Sequence, residues 1–175
     1  MRTKNHGRWR DLLIRLKEFL DDEKLVAPFE VYKFLGDGWV LLFDKDFDGS
    51  SMMDLLYRMC VKYKFLFKGK ISPVLTTGGC KAGMTFGIDE GELVKIVMHG
   101  KPEYIGRPLN LAARLQGAIK QKDDEPDWKV LISKNCHIKL ELEKVQRFAG
   151  IEVERKLANV AGGERYKARK IALCK

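Results

Sequence analysis

The residues whose types and spacing could do chemistry are one carboxylate and one polar pair. Asp37 stands between Gly36 and Gly38, and Asn110 precedes Arg114 by four positions. A carboxylate can bind a divalent cation, and a planar guanidinium can hold a phosphate through paired hydrogen bonds. Taken singly, each has a plainer interpretation, because Asp-Gly commonly forms turns and a polar pair at this spacing commonly marks an exposed helix face. The flanking segments must decide between these interpretations.

The segment around Asp37 predicts a β-hairpin. Two apolar runs, 31–35 and 39–43, are rich in Val, Leu and aromatic residues and flank the Gly-Asp-Gly sequence. An Asp-Gly pair between two such runs is a strong short-range signal for a tight turn. We therefore expect Asp37 at the tip of a hairpin.

The segment 104–115 predicts the start of a helix that carries the polar pair. Pro108 suits the first turn of a helix, and Leu111, Leu115 and Ala118 recur at helical spacing. Residues four apart lie on the same side of a helix, so Asn110 and Arg114 should share one face.

Three segments together resemble the catalytic domain of class III nucleotidyl cyclases. They are the hairpin 33–38, the segment 84–94 with its Gly-Ile and Gly-Glu pairs, and the Asn-Leu-Ala-Ala-Arg-Leu helix at 110–115. All three stand in the family's order, and the resemblance extends from about Trp9 to the last strand. It implies an α+β fold, a ferredoxin-like βαββαβ sandwich with extra C-terminal strands, as a single domain over 1–175.

The element order that we predict omits one strand of the family pattern. We expect the following elements in turn: a helix over 8–20, the Asp37 hairpin, a helix over 51–67 with its N-cap at Ser50 or Ser51, a hairpin over 82–99 turning near Asp89-Glu90-Gly91, the Arg114 helix, a strand over 128–132, a helix over 133–142, and strands over 151–157 and 164–172. The family's first strand carries another metal-binding Asp and precedes the first helix, where this chain begins. We expect that strand in residues upstream of Met1 in the natural protein.

The resemblance implies a reaction and a role for three residues. In the family, the ribose 3′-hydroxyl of a nucleoside triphosphate attacks the α-phosphorus, and a 3′,5′-cyclic nucleotide and pyrophosphate result. Two Mg²⁺ or Mn²⁺ ions are held by two Asp carboxylates, of which Asp37 would be the second. Asn110 would orient the ribose, and Arg114 would stabilise charge that develops on the α-phosphate.

The residues that would select the base and hold the phosphates follow from the same resemblance. Lys33 occupies the position where Lys accompanies ATP, and its companion position falls on Glu103, or on Tyr104 if a loop deletion shifts the alignment. Ala161 stands where the family has a phosphate-binding Lys, so Lys156 or Arg165 would substitute. We expect ATP as the substrate, with UTP or CTP close behind, since the chain also resembles the bacterial pyrimidine cyclases of anti-phage defence that make cyclic UMP or cyclic CMP.

The resemblance further implies a head-to-tail homodimer in which each active site is shared between two subunits.

One alternative to an active cyclase is an inactive, nucleotide-binding pseudo-cyclase, motivated by Ala161 and by the lack of a first-strand Asp. Another is a basic nucleic-acid-binding module, motivated by the net charge of +9. Lys and Arg are spread along the chain without a recognisable nucleic-acid-binding motif, so we disfavour nucleic acid as a partner.

The remaining features suit a cytosolic protein without a structural metal. The sequence has no apolar run long enough to cross a bilayer and no signal-peptide pattern after Met1, so we expect a cytoplasmic location. The cysteines lack metal-ligand spacing and should be reduced thiols: Cys60, Cys80, Cys136 and Cys174. We interpret Cys136-His137 as part of an amphipathic helix. The acidic segment 44–49 begins like a calcium-binding loop, but the twelfth position counted from Asp44 is Leu55, where such a loop needs a glutamate. We therefore expect no calcium site there.

Overall fold

The computed structural model describes residues 3–74, 83–119 and 128–173. The chain divides into two compact units, Met1–Gly83 and Met84–Lys175. Both combine helices with strands, so the fold class is α+β, as the sequence predicts. The expectation of one domain stays a prediction.

In its described residues, unit 1 contains two long helices, one hairpin and a short 3-10 helix at Ser72–Val74. Its elements are α1 (Thr3–Glu23), β1 (Phe29–Phe34), β2 (Trp39–Phe43) and α2 (Gly49–Lys70). Helix α1 packs against α2, and their shared core consists of Leu12, Leu16, Leu66, Phe67 and Ile71. Leu12, Leu16 and Leu20 are fully buried at intervals of four, which is why a single stripe of α1 faces the core. Both helices are longer than the sequence pattern indicates.

Helix α2 begins earlier than predicted. The N-cap is Asp48, whose carboxylate accepts a hydrogen bond from the Ser51 backbone N–H at 2.7 Å. The expectation of an N-cap at Ser50 or Ser51 is therefore wrong. A carboxylate accepts hydrogen bonds from the free backbone N–H groups of the first turn, and its charge also complements the positive end of the helix dipole. Asp48 is therefore a better N-cap than either serine that follows it.

Unit 2 is built on a four-stranded mixed sheet. Its elements are β3 (Thr85–Ile88), β4 (Val94–Met98), β5 (Lys101–Ile105), α3 (Arg107–Ala118), β6 (Lys129–Ser133), α4 (Lys134–Lys139), β7 (Ile151–Arg155) and β8 (Tyr166–Ala172). The sheet order is β3-β6-β8-β7, in which β3 and β6 are parallel and the other pairs are antiparallel. Strands β4 and β5 form a separate two-stranded ribbon.

The predicted hairpin over 82–99 is wrong. Strand β3 pairs with β6, and β4 pairs with β5 around a turn in which His99 and Gly100 both have positive φ angles, of 51° and 74°. Two successive positive φ angles match the right-handed twist of the flanking strands, so they favour the reversal at this point. Asp89-Glu90-Gly91 lies in the connection that leaves β3.

Helix α3 covers one face of this sheet. Leu111, Leu115, Ala118 and Ile119 are buried against Leu131 and Ala168. The connection from β3 to its parallel neighbour β6 runs through α3, since parallel strands need a crossover. Within the described ranges, no helix is both long and apolar enough to cross a lipid bilayer.

Candidate functional site

Asp37 lies at the exposed tip of the β1–β2 hairpin in unit 1. The backbone N–H of Leu35 donates to the carbonyl of Gly38 at 2.8 Å and closes the turn. Gly36 has a φ of 97°, a backbone conformation that favours glycine at this point of the turn. The turn thus presents the Asp37 carboxylate to solvent, where a hydrated cation could reach it.

Lys33 lies on β1 next to an irregularity in the hairpin. Val31 pairs with Leu41 and Lys33 pairs with Val40, so Tyr32 is an extra residue in β1. Such a bulge twists a strand and re-aims the side chains beside it. The Lys33 side chain is exposed, and its Nζ lies 5.7 Å from the centre of the Tyr32 ring.

Asn110 and Arg114 lie on α3 in unit 2. Pro108 is in the first turn of this helix, as the sequence predicts. Asn110 is exposed and Arg114 is partly exposed, whereas Leu111 and Leu115 beside them are buried. Asn110 and Arg114 therefore lie on the solvent-accessible side of α3, whose opposite side is buried in the core.

Glycines bring α3 unusually close to the residues before it. A Cβ on Gly87 of β3 would lie 1.9 Å from the Ala112 carbonyl oxygen and 2.5 Å from the Gln116 nitrogen, both backbone atoms of α3. A Cβ on Gly106 would lie 2.7 Å from the Glu92 carbonyl oxygen. The Gln116 side chain also donates to the Thr85 hydroxyl at 2.8 Å. These contacts leave little freedom to the helix that carries Asn110 and Arg114.

Glu103 and Tyr104 lie on β5, which leads directly into α3. Both are partly buried and pair with Ile96 and Lys95 of β4. The Lys95 Nζ lies 5.8 Å from the centre of the Tyr104 ring. The structure thus brings Glu103, Tyr104 and the polar pair into consecutive elements of unit 2.

Lys156 follows β7 and is exposed. Its Nζ forms an ion pair with the Glu164 carboxylate at 2.9 Å, and Arg165 forms another with Glu154 at 3.0 Å. Ala161 lies in the exposed loop between them. Each cation that could replace the family's phosphate-binding Lys therefore has a carboxylate partner that a phosphate would have to displace.

The predicted site residues are divided between the two units. Lys33 and Asp37 belong to unit 1, and the other predicted residues belong to unit 2. In the described part of the chain, no three side chains of His, Cys, Asp or Glu lie together as metal ligands. Asp37 fits Mg²⁺ by chemistry, because this ion takes one or two carboxylates and completes its coordination with water and phosphate oxygens.

A polar cluster that the sequence analysis missed lies at the carboxyl ends of β3 and β6. The Ser133 hydroxyl donates to Asp89 Oδ1 at 2.5 Å, and Asp89 Oδ2 is buried without a hydrogen-bond partner among the described residues. Burial raises the pKa of Asp89, although Ser133 and the charge of Arg107 oppose this change. No local motif marks the cluster, since Asp89 and Ser133 meet only when the parallel strands pair.

Cys136 and His137 are both buried in α4, which confirms the interpretation of this pair as helix residues. Burial raises the pKa of the Cys136 thiol to about 12, and the charges of Asp89 and Glu90 act in the same direction. A His137 ring nitrogen lies 3.0 Å from the Phe148 carbonyl oxygen, which satisfies a buried polar atom.

Comparison with known proteins gives no match, either to a family model or to a curated protein. The resemblance to class III cyclases thus rests on the three motifs alone.

Proposed function

We propose that this chain is a class III nucleotidyl cyclase domain that converts a nucleoside triphosphate into a 3′,5′-cyclic nucleotide and pyrophosphate. The observation that supports it best is that two of the three matching motifs leave their polar side chains accessible, and that the apolar residues Leu111 and Leu115 of the α3 motif are buried. Asp37 is exposed at a hairpin tip, and Asn110 and Arg114 line the accessible side of α3. The finer fold that we propose is the ferredoxin-like sandwich of that family.

The proposed chemistry assigns separate tasks to these residues. Arg114 binds the α-phosphate and stabilises the charge that develops there, and removing such a group commonly costs about 10²–10³ in rate. Asn110 orients the ribose so that its 3′-hydroxyl is aligned with the α-phosphorus, because phosphoryl transfer depends on alignment and charge neutralisation. Asp37 would hold a divalent ion, which when bound neutralises triphosphate charge and activates the attacking hydroxyl.

The substrate that we propose is ATP, with UTP and CTP next. Lys33 is exposed on the strand that leads to Asp37, and its ammonium group can donate to N1 of adenine. Guanine has an N–H donor at N1, which an ammonium group would not satisfy. Glu103 or Tyr104 would provide the second contact to the base, and Lys156 or Arg165 the contact to the phosphates.

A cyclase assay with each of the four ribonucleoside triphosphates and Mn²⁺ tests the proposal. The chain and a version extended in frame upstream should be compared, because the proposed chemistry calls for a second Asp. We expect one dominant cyclic product, reduced about 100-fold or more by Asp37→Asn. Asp46→Asn removes an exposed carboxylate from a nearby turn and should leave the rate unchanged. Folded protein without product from either version would contradict the proposal.

The pseudo-cyclase alternative is favoured by Ala161, which stands in place of the family's phosphate-binding Lys. Tight binding of a triphosphate without turnover, in both versions of the chain, would support it.

The nucleic-acid alternative is motivated by the net charge of +9. Salt-sensitive binding of RNA or DNA that survives Asp37→Ala and Arg114→Ala would favour that function.

A further inference from the structure

Helix α2 exposes apolar side chains on the side opposite its core. Tyr57, Val61 and Phe65 recur at intervals of four residues and therefore share one side of the helix. Their exposed fractions are 44%, 47% and 75%, whereas Met59 and Leu66 on the other side are buried. Single exposed apolar residues are ordinary on a protein surface, but three on successive turns form a continuous patch of the kind that marks a contact site.

Opposite charges stand at the two ends of this patch. Asp54 precedes Tyr57 by three residues, and Lys68 follows Phe65 by three. Lys68 is exposed and Asp54 is half-buried. At 3.6 residues per turn, both lie within about 20° of Val61 around the helix axis. These five residues, the α2 strip, thus have the same order from either end: a charge, an aromatic ring, a valine, an aromatic ring and a charge of opposite sign.

Such a strip is complementary to a second copy of itself that runs in the reverse direction. In a two-fold contact, if residue i of one copy meets residue j of the other, then j of the first copy also meets i of the second. When two antiparallel α2 helices cross at Val61, Tyr57 faces Phe65 of the second copy and Asp54 faces Lys68. A parallel arrangement in register would instead place like charges opposite each other at both ends, which is unfavourable.

We propose that the α2 strip is an interface through which two copies of this chain pack antiparallel, with Val61 on the two-fold axis. Arg58, at the edge of the strip, forms an ion pair of 2.5 Å with Glu23, so its guanidinium is directed toward α1 rather than across the strip. An anionic surface fits less well, because Asp54 would face it with like charge. The contact does not depend on cyclase activity, since α2 carries none of the residues proposed for catalysis.

Cross-linking at the two-fold axis tests the contact. One helix face is smaller than a standard protein interface, so we expect weak association, with a Kd of about 10⁻⁵ M. In Val61→Cys, a short bis-maleimide should link two copies at least about tenfold faster than in Ile14→Cys. Ile14 is the matched control because it is 46% exposed on α1. Cys80 and Cys174 are replaced by Ser in every variant, and the remaining cysteines are buried. Equal rates in the two variants would overturn the proposal.

Charge reversals test the antiparallel direction. In the Val61→Cys background, Asp54→Lys and Lys68→Asp each place like charges opposite each other at both ends, so each should slow cross-linking about tenfold. When the two variants are mixed, opposite charges face each other again, and the cross-linked product should contain one copy of each. Asp22→Lys reverses an exposed charge on α1 and should leave the rate unchanged. Single reversals without effect, or a mixture that stays slow, would overturn the proposal.

Vesicle binding separates this contact from a lipid occupant. If wild-type chain sediments with phosphatidylserine vesicles and Lys68→Asp does not, while Val61→Cys cross-links no faster than Ile14→Cys, the strip binds lipid and the proposal is overturned. We expect no vesicle binding that depends on Lys68. Cross-linking at position 61 reports on this contact whether or not the chain also forms a homodimer with shared active sites, so a failure of the cyclase proposal leaves the result readable.

Discussion

At the scale of single residues, the environment of a side chain decides which chemistry it can perform. Asp37 and Lys33 are exposed on one hairpin, so each can meet a solvated ligand without a change in the fold. Cys136 has a reactive thiol by type, yet burial keeps it protonated. Asp89 lies between these cases, because it is partly buried, and among the described residues only one of its two carboxylate oxygens has a hydrogen-bond partner.

Lys33→Glu should change the preferred base. A carboxylate can accept hydrogen bonds from the N1–H and amino group of guanine, whereas an ammonium group donates to adenine. We expect the ratio of GTP to ATP turnover to rise at least about tenfold, measured as cyclic GMP and cyclic AMP formed under equal conditions. Lys45→Glu makes the same charge change in an exposed turn of unit 1 and should leave the ratio as it is. An unaltered ratio in Lys33→Glu would remove Lys33 from base selection.

Cys136 should resist thiol reagents until the protein unfolds. With a pKa of about 12, its thiolate fraction at pH 8 is about 10⁻⁴, against roughly a quarter for an ordinary thiol. We expect site-resolved labelling, read by mass spectrometry, to be about 10³-fold slower than for N-acetylcysteine. Denaturant should abolish the difference. Rapid labelling of Cys136 in the folded chain would show that this thiol is accessible rather than buried.

At the scale of secondary structure, local signals identify turns and caps, whereas strand partners depend on distant residues. The β1–β2 hairpin could be predicted because its turn and both strands lie within a short segment. The β3 partner could not, since β6 lies beyond β4, β5 and α3. The polar turn signal at Asp89-Glu90-Gly91 misled the prediction, because a loop that leaves a parallel strand uses the same residue types as a hairpin turn. The Asp89–Ser133 cluster was missed for the same reason.

Gly87→Ala should separate β3 from α3. The new methyl group would overlap backbone atoms of Ala112 and Gln116, which can yield only if the helix shifts. We expect the free energy of unfolding to fall by about 2–3 kcal/mol in urea titrations. Gly117→Ala is the matched control on α3, because its Cβ would meet nothing within 4 Å. It should raise the free energy of unfolding by about 0.5–1 kcal/mol. Equal effects from the two variants would refute the close approach.

Asp48→Ala should remove the cap of α2 in a pH-dependent manner. Loss of an N-cap costs about 1 kcal/mol at neutral pH. Hydrogen bonding from Ser51 holds the pKa of Asp48 below its ordinary value. A carboxyl group with a lowered folded-state pKa contributes stability above its unfolded pKa and loses that contribution as the pH falls through the folded pKa. The difference from wild type, measured by chemical denaturation, should therefore shrink below about pH 4. A constant difference would argue against a charged cap; Asp46→Ala is the exposed control.

At the scale of the whole molecule, the predicted site residues are distributed over two units of one chain. Lys33 and Asp37 belong to unit 1, and Asn110 and Arg114 belong to unit 2. The homodimer that the resemblance implies would allow the two sets to meet across subunits. Sequence motifs predict which residues are candidates for the site. They do not predict how separate units are arranged, because that arrangement depends on packing between surfaces.

Complementation between inactive variants tests the shared site. Asp37→Ala and Arg114→Ala should each be inactive alone. When equal amounts are mixed and allowed to exchange, about half of the dimers contain one copy of each, and each mixed dimer has one intact site of two. We expect about one quarter of the wild-type activity to return. A mixture that stays inactive despite exchange, shown by sedimentation and by pull-down of a tagged copy, would exclude sites shared in this way.

The contact between Gly87 and α3 has a consequence for how this chain tolerates mutation. Every residue other than glycine carries a Cβ, so every replacement at position 87 meets the same backbone obstruction. In a library that samples all amino acids at all positions and is selected for function, position 87 should be depleted as uniformly as position 114. Selection would then retain Gly87, whose side chain is a single hydrogen atom, as strictly as it retains the guanidinium group of Arg114.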